Sequence, residues 1–203
     1  MGLSHARAYH AMADDFEIVG LVSRGAASRG KVNTDLGGGL PEYSDYFEAL
    51  QQAKPDAVCI STYPDTHAEY ALAAIDAGAH VFLEKPLATT VADAERVVVR
   101  AAERRKKIVV GYILQVHPVW QRFAEMADSL GRPLVMRMNL NQQVKGEFYD
   151  TLHNIMQVQS PIVDCGVHYV DIMYKMAQCR PVRVHGIGCR NWDKVPEHIC
   201  NYG

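Results

Sequence analysis

An α/β chain is predicted, with a doubly wound parallel sheet over residues 1–112 and a smaller α+β domain with antiparallel pairing over 113–203. Three observations predict it. Short apolar runs with little polar content alternate with amphipathic stretches at regular spacing up to Val110, the pattern of parallel strands covered on both faces by helices. Gly78 stands just past one helical stretch and Thr89-Thr90 just before the next, the expected stop and start signals. Beyond Tyr112 the rhythm changes to a long alternating segment and two further helical patterns.

The elements follow in order. Residues 4–13 form a modestly amphipathic helix, and 17–22 (EIVGLV) a buried strand ending in Ser23-Arg24. Residues 25–40 carry five glycines and read as a mobile loop. A short helix over 44–53 has Ser44 as its N-cap, and 56–61 (DAVCIS) is a second buried strand. A helix over 66–77 leads to the strand 81–84. The helix that Thr89-Thr90 opens runs through Lys106, acidic early and basic late as the macrodipole favours. Residues 108–111 form the fourth strand. In the second domain, 118–130 and 160–177 are helical, while 134–144 and 182–189 are strands. No strand precedes the first helix, and an amphipathic element is only beginning at the last residues, so a chain cut at both ends, without its first strand and with an incomplete second sheet, is expected.

A net charge of −2 provides no field for nucleic acid or an anionic membrane. No apolar run reaches the length of a spanning helix, and no signal peptide is visible. The five cysteines lack C-x-x-C spacing, which reads as reduced thiols in a cytoplasmic protein and not as a zinc site.

Four constellations carry the chemistry. The strand 81–84 breaks off at Glu84-Lys85-Pro86. In open α/β sheets ligands bind outside the carboxyl ends of the strands, so a lysine there faces the site. The plainer alternative is a solvated ion pair at a strand end. Pro86 stops the strand, and its peptide bond with Lys85 is open to either isomer. The second constellation is Ser61-Thr62-Tyr63-Pro64-Asp65-Thr66-His67, which follows a buried strand and opens a helix. Small hydroxyls and a helix N-terminus there can cradle an extended cofactor, or simply form a capped turn. The third is Ser23-Arg24, with Ser28 and Arg29 close by and no acid for ribose hydroxyls. That favours NADP over NAD, against the alternative of a solvated basic loop. The fourth is the helix opened by Ser160-Pro161, where Asp164, His168 and Asp171 recur at helical spacing on one face. An acid/base pair, a metal site and an internal polar network all fit it.

Together these segments resemble the glucose-fructose oxidoreductase / inositol dehydrogenase (Gfo/Idh/MocA) family. Gly2-x-x-His5 with Ala8-Tyr9 is similar to the end of its glycine loop and first helix, and Thr62 to His67 to its T-P-x-x-x-H turn, with Tyr63 in place of the proline. GAHVFLEKPLA is similar to its E-K-P segment, GYILQVHPVW to its exit from the dinucleotide domain, and DCGVHYVD to its D-x-x-x-H-x-x-D helix. The resemblance implies a Rossmann domain, then an open, mostly antiparallel sheet that makes a homo-oligomer contact. It implies hydride transfer between NAD(P), leaning to NADP, and a sugar, cyclitol or related polyol. Lys85, Asp164 and His168 would be catalytic. Gly2, Ser4, His5, Ser23, Arg24, Ser61, Thr62, Pro64, His67, Glu84 and Lys85 would bind cofactor. Lys85, Tyr112, Gln115, Asp164 and His168 would contact substrate, with no metal required. Gln115 departs from the arginine common in the family, and Val158-Gln159-Ser160-Pro161 from its glycine-rich stretch, both bearing on which substrate is taken. The other readings are a dinucleotide-binding regulator without turnover and a metal-dependent enzyme using Asp164, His168 and Asp171.

Overall fold

A computed structural model describes residues 1–132, 134–139, 146, 148–190 and 193–200. The chain divides into two compact units, Met1–Val110 and Gly111–Gly203.

In the first unit the strands run parallel. β1 (Leu21–Val22) pairs with β2 (Glu42–Tyr43). A second sheet has the order β3-β4-β5, formed by Ala57–Ile60, His80–Leu83 and Ile108–Val110. β4 is central, in register with Ala57–Ile60 on one side and Ile108–Val110 on the other. Helix α4 (His67–Asp76) connects β3 to β4, and α5 (Val91–Arg104) connects β4 to β5. The core lies beneath them, where Ile60, Val81 and Leu83 pack with Ala71, Ala74, Ile75, Val97 and Ala101. Central β4 buries Val81 and Leu83 almost completely, which is why its run is apolar until the chain leaves the sheet at Glu84.

Local chemistry sets the element ends. Gly78 takes φ +91°, as a helix stop in left-handed backbone requires. The Thr90 hydroxyl accepts the Asp93 N–H (3.1 Å) and donates to the Asp93 carboxylate (2.8 Å), capping α5. Helix α3 (Tyr46–Ala53) is capped by Asp45, whose carboxylate accepts the Glu48 N–H at 2.8 Å, and not by Ser44. Two expectations change more. The strand over 17–22 shrinks to Leu21–Val22, because Gly20 offers no side chain to pack and lies against the Tyr43 ring. The glycine-rich stretch 25–40 holds a helix, α2 (Ala26–Asp35). Asn33 then ties its end to the backbone of Leu40 with two 3.1 Å bonds. The remaining helix, α1 (Gly2–Ala11), is joined to α2 by Arg7, which donates to both Asp35 oxygens.

The second unit begins with a turn at Ile113–Gln115 and α6 (Pro118–Ser129). Helix α7 (Phe148–Ile155) was not expected from the sequence. A π-helical turn at Ile162–Gly166 runs into α8 (Val167–Ala177). Ala127, Ile172 and Met176 form its core with Leu114, Trp120, Met136 and Met138. The strand expected over 134–144 is not assigned at 134–139, and 140–144 lie outside the described residues. Its alternation is real, for Met136 and Met138 pack inward while Val135 is 99% exposed. Residues 182–188 likewise pair with no strand among the described residues, and Cys189 makes a single bridge. No helix of the described residues is long and apolar enough to cross a membrane.

Candidate functional site

Parallel pairing puts the carboxyl ends of β3 and β4 side by side, at Ile60 and Leu83. Ser61–Tyr63 leave one and Glu84-Lys85-Pro86 leave the other, with a cis peptide bond at Lys85-Pro86. The first turn of α1 arrives at the same place. A Cβ built on Gly2 would stand 3.1 Å from Ser61 Oγ, tighter than ordinary van der Waals contact, so glycine lets this backbone lie against the loop after β3. One turn later His5 Nε2 is 2.7 Å from Glu84 Oε1, and its ring lies 5.1 Å from Phe82. Farther along, Tyr9 donates its hydroxyl to Cys59 on β3, and burial pushes the Tyr9 phenol up to about 12 and the Cys59 thiol up to about 11.

Glu84 is 7% exposed, and its second oxygen accepts the Lys85 N–H at 3.3 Å. A buried carboxylate requires such partners. Gly2, His5, Ser61, Glu84 and Lys85 are therefore gathered around one pair of strand ends. Ser4 is exposed in the same first turn. No side chain caps α1, and no acid stands in its first turn.

Two residues of the loop after β3 turn inward. The Thr62 hydroxyl shares a 2.7 Å hydrogen bond with that of Thr66. Pro64 is buried, and His67 is fully buried, with Nδ1 2.7 Å from the Pro86 carbonyl and Nε2 3.1 Å from the Thr62 carbonyl. The His67 ring has no accessible surface, and both its nitrogens face backbone carbonyls. Ser23 and Arg24 lie at the carboxyl end of the other sheet, where Arg24 is exposed and Arg29 donates to the Ser23 carbonyl. Arg29 also lies 3.5 Å from Glu42, so the basic cluster is partly neutralised.

In the second unit Asp164 is 8% exposed within the π-helical turn. Its carboxylate accepts from the Gln159 amide at 3.1 Å and the Cys165 thiol at 3.4 Å. Gln159, which the sequence marked only as part of the stretch Val158–Pro161, is the amide partner of this carboxylate. A Cβ on Gly166 would sit 2.5 Å from Ile162 Cδ1, so the exposed Ile162 side chain would have to turn aside. His168 is half-buried beside Tyr112, their rings edge to face at 6.5 Å. Burial, and then the Asp171 charge, raise the Tyr112 phenol above its ordinary range. The Gln115 amide nitrogen donates to both Asp171 oxygens, at 2.8 and 2.9 Å. Asp164 is held by Gln159 and Cys165, while Asp171 is held by the turn at Gln115. Among the described residues no three His, Cys, Asp or Glu are grouped to hold a metal ion.

Comparison with known proteins identifies the family. Residues 1–112 match the family model described as "Oxidoreductase family, NAD-binding Rossmann fold" (GFO_IDH_MocA). Inositol 2-dehydrogenase 3 of Saccharopolyspora erythraea is 31% identical over 98% of this chain and 57% of its own length. Scyllo-inositol dehydrogenase of Lactobacillus casei, solved with NAD(H) and scyllo-inositol, superposes at TM-score 0.70 with 17% identity over 86% of this chain and 52% of that one. UDP-N-acetylglucosamine 3-dehydrogenase of Acidithiobacillus ferrooxidans superposes at TM-score 0.70 with 24% identity over 93% and 57%. The chain thus spans a little over half the length of these proteins. With its parallel sheet, its E-K-P segment at the central strand end and a family match over residues 1–112, the chain belongs to the Gfo/Idh/MocA family of oxidoreductases with an NAD-binding Rossmann fold.

Proposed function

We propose that the protein of which this chain is part is an NAD(P)-dependent dehydrogenase or reductase acting on the CH–OH group of a sugar, cyclitol or related polyol. One observation carries the reading: Gly2, His5, Ser61, Glu84 and Lys85 gather around the carboxyl ends of β3 and β4. The residues fit a dinucleotide. The uncapped, acid-free start of α1 presents backbone N–H groups where a pyrophosphate is favoured. The bound nicotinamide supplies or accepts the hydride. Ser23 and exposed Arg24 at the end of β1 suit a 2′-phosphate, so NADP is the proposed form. The likeness to an inositol 2-dehydrogenase over 98% of the chain supports a cyclitol or sugar as substrate.

The chain's own residues manage the proton and the orientation. Oxidation of a carbinol also requires loss of its hydroxyl proton. His168 is the proposed acceptor of that proton, and the Lys85 ammonium stabilises the oxygen as charge develops on it. Asp164 completes the acid/base group. Tyr112 and Gln115 are the proposed substrate-contacting residues, with Gln115 already fixed by Asp171. The match to an NAD-binding oxidoreductase family and the likeness to an inositol 2-dehydrogenase favour the dinucleotide reading over a metal-dependent one.

The test uses the intact protein. NADPH or NADH is expected to bind, seen as a change in nicotinamide fluorescence, and a polyol panel is expected to reveal turnover. Lys85→Ala and His168→Ala should each lower kcat by about 10²- to 10⁴-fold, and His168→Ala should leave dinucleotide affinity nearly unchanged. Absence of binding by either dinucleotide at millimolar concentration refutes the proposal. Tight binding without turnover on the panel favours the regulatory reading.

A further inference from the structure

His67 is the most deeply buried ionisable side chain of the first unit, and the proposed hydride transfer gives it no role. Its position is specific. The ring stands at the start of α4 and spans two loops, with Nδ1 2.7 Å from the Pro86 carbonyl and Nε2 3.1 Å from the Thr62 carbonyl. Carbonyl oxygens only accept, so each true bond needs a proton on the ring nitrogen. A neutral imidazole carries one N–H, which on Nδ1 would serve the shorter contact, to Pro86. That carbonyl belongs to the residue immediately after Lys85. The residue immediately before Lys85 is fixed as well: Glu84 accepts the Lys85 N–H with one oxygen and meets His5 with the other.

We infer that Lys85 is held by a two-sided backbone clamp, Glu84 with His5 before it and the His67 Nδ1–H to Pro86 carbonyl bond after it. His67 is thus a positioning residue for the lysine. The inference rests on the proposal that Lys85 works at the reacting oxygen. The physical reason is geometric. A lysine side chain has four flexible bonds, so its ammonium can be aimed only if the backbone beneath it is fixed. β4 ends at Leu83, and the ladder no longer constrains the chain at Lys85. A buried imidazole replaces the missing ladder bonds with one to the Pro86 carbonyl. Its burial keeps water from competing for that carbonyl.

Two substitutions separate the two ring nitrogens. An asparagine amide nitrogen takes the place of Nδ1, and a glutamine amide nitrogen the place of Nε2. His67→Asn therefore keeps the bond to Pro86, whereas His67→Gln keeps only the bond to Thr62. Two readouts apply to the intact protein: turnover, and the rate at which Lys85 is acetylated by a water-soluble acetylating reagent, read by peptide mass spectrometry. His67→Gln should lower kcat by about 10- to 100-fold, with KM for the dinucleotide changed less than about threefold, as displacement of a catalytic group by about an ångström does. Its Lys85 acetylation rate should shift severalfold. His67→Asn should match the parent in both readouts. In the parent, nitrogen-15 NMR of labelled histidine should find a slowly exchanging proton on Nδ1 of His67. Equal losses in both variants, no loss in His67→Gln, or a neutral ring protonated on Nε2 would overturn the clamp. If His67→Gln does not fold, His67→Asn and the parent spectrum still decide. If the parent turns over no polyol with either dinucleotide, the dehydrogenase reading fails, while the acetylation rates and the spectrum still test the clamp.

Discussion

Single residues that look unremarkable in the sequence set the geometry of the first unit. Gly20 sits inside an apolar run that reads as continuous strand, yet a Cβ there would lie 2.8 Å from the Tyr43 ring. The glycine leaves room for the Tyr43 ring of β2 to lie over the chain just before β1. Gly20→Ala should destabilise the protein by about 1–3 kcal/mol through overpacking, seen as a lower urea midpoint at unchanged slope. An unchanged midpoint would show that the ring moves aside at no cost. Glu84 and His67 teach the same lesson about polar residues. The resemblance to the family named both as site candidates, but their partners could not be read from the sequence. His5 and Glu84 stand 79 positions apart and meet only on folding. Spacing also could not reveal that His67 faces inward, because the first turn of a helix has a buried and an exposed side, and neighbours choose between them.

At the scale of elements, caps were the most readable feature and glycine clusters the least. Thr90 opens α5 as its sequence position implies. Thr90→Ala should cost about 0.5–2 kcal/mol in urea or thermal unfolding, and Thr90→Ser should restore most of it, because serine keeps the accepting oxygen. Equal loss in both variants would mean the methyl group, and not the hydroxyl, stabilises the helix start. Helix α2 was hidden by Gly25, Gly30 and the run Gly37–Gly39. The three glycines of the run all take positive φ, so they form the exit from the helix and not a mobile loop throughout. Ala26, Ala27, Arg29 and Lys31 favour the helix, and its last residue is held by Arg7 of α1. In the second unit the alternating segment 134–139 kept its inward and outward faces without ladder bonds among the described residues. Alternation reports burial on one side, whereas a strand also requires a partner edge.

On the scale of the whole molecule, burial of neutral acids sets a pH limit. Burial, more than any partner, holds the Cys59 thiol at about 11, above its ordinary 9.0. The Tyr9 phenol is at about 12, again chiefly through burial, above its ordinary 10.0. In both groups the folded state holds its proton to higher pH than the unfolded state. Their contribution is therefore fully present below the unfolded values and is lost as pH rises through the folded ones. The urea midpoint should fall from pH 9 to 11, and Cys59→Ser, which cannot ionise in that range and still accepts from Tyr9, should flatten the fall. A slope unchanged by that substitution would assign the loss to other groups. The sequence alone determined the α/β class, the parallel strands, the place of Lys85 at a strand end and the polar residues of the Asp164–Asp171 stretch, because strand burial, helix caps and residue spacing are local properties of a chain. Only the tertiary structure decided that α1 delivers His5 to Glu84, that His67 is a buried strut beneath Pro86, and that Asp164 and Asp171 are held by different neighbours. Those are contacts between segments distant in the chain or turned by packing, and no local pattern encodes which partner a buried polar group will find.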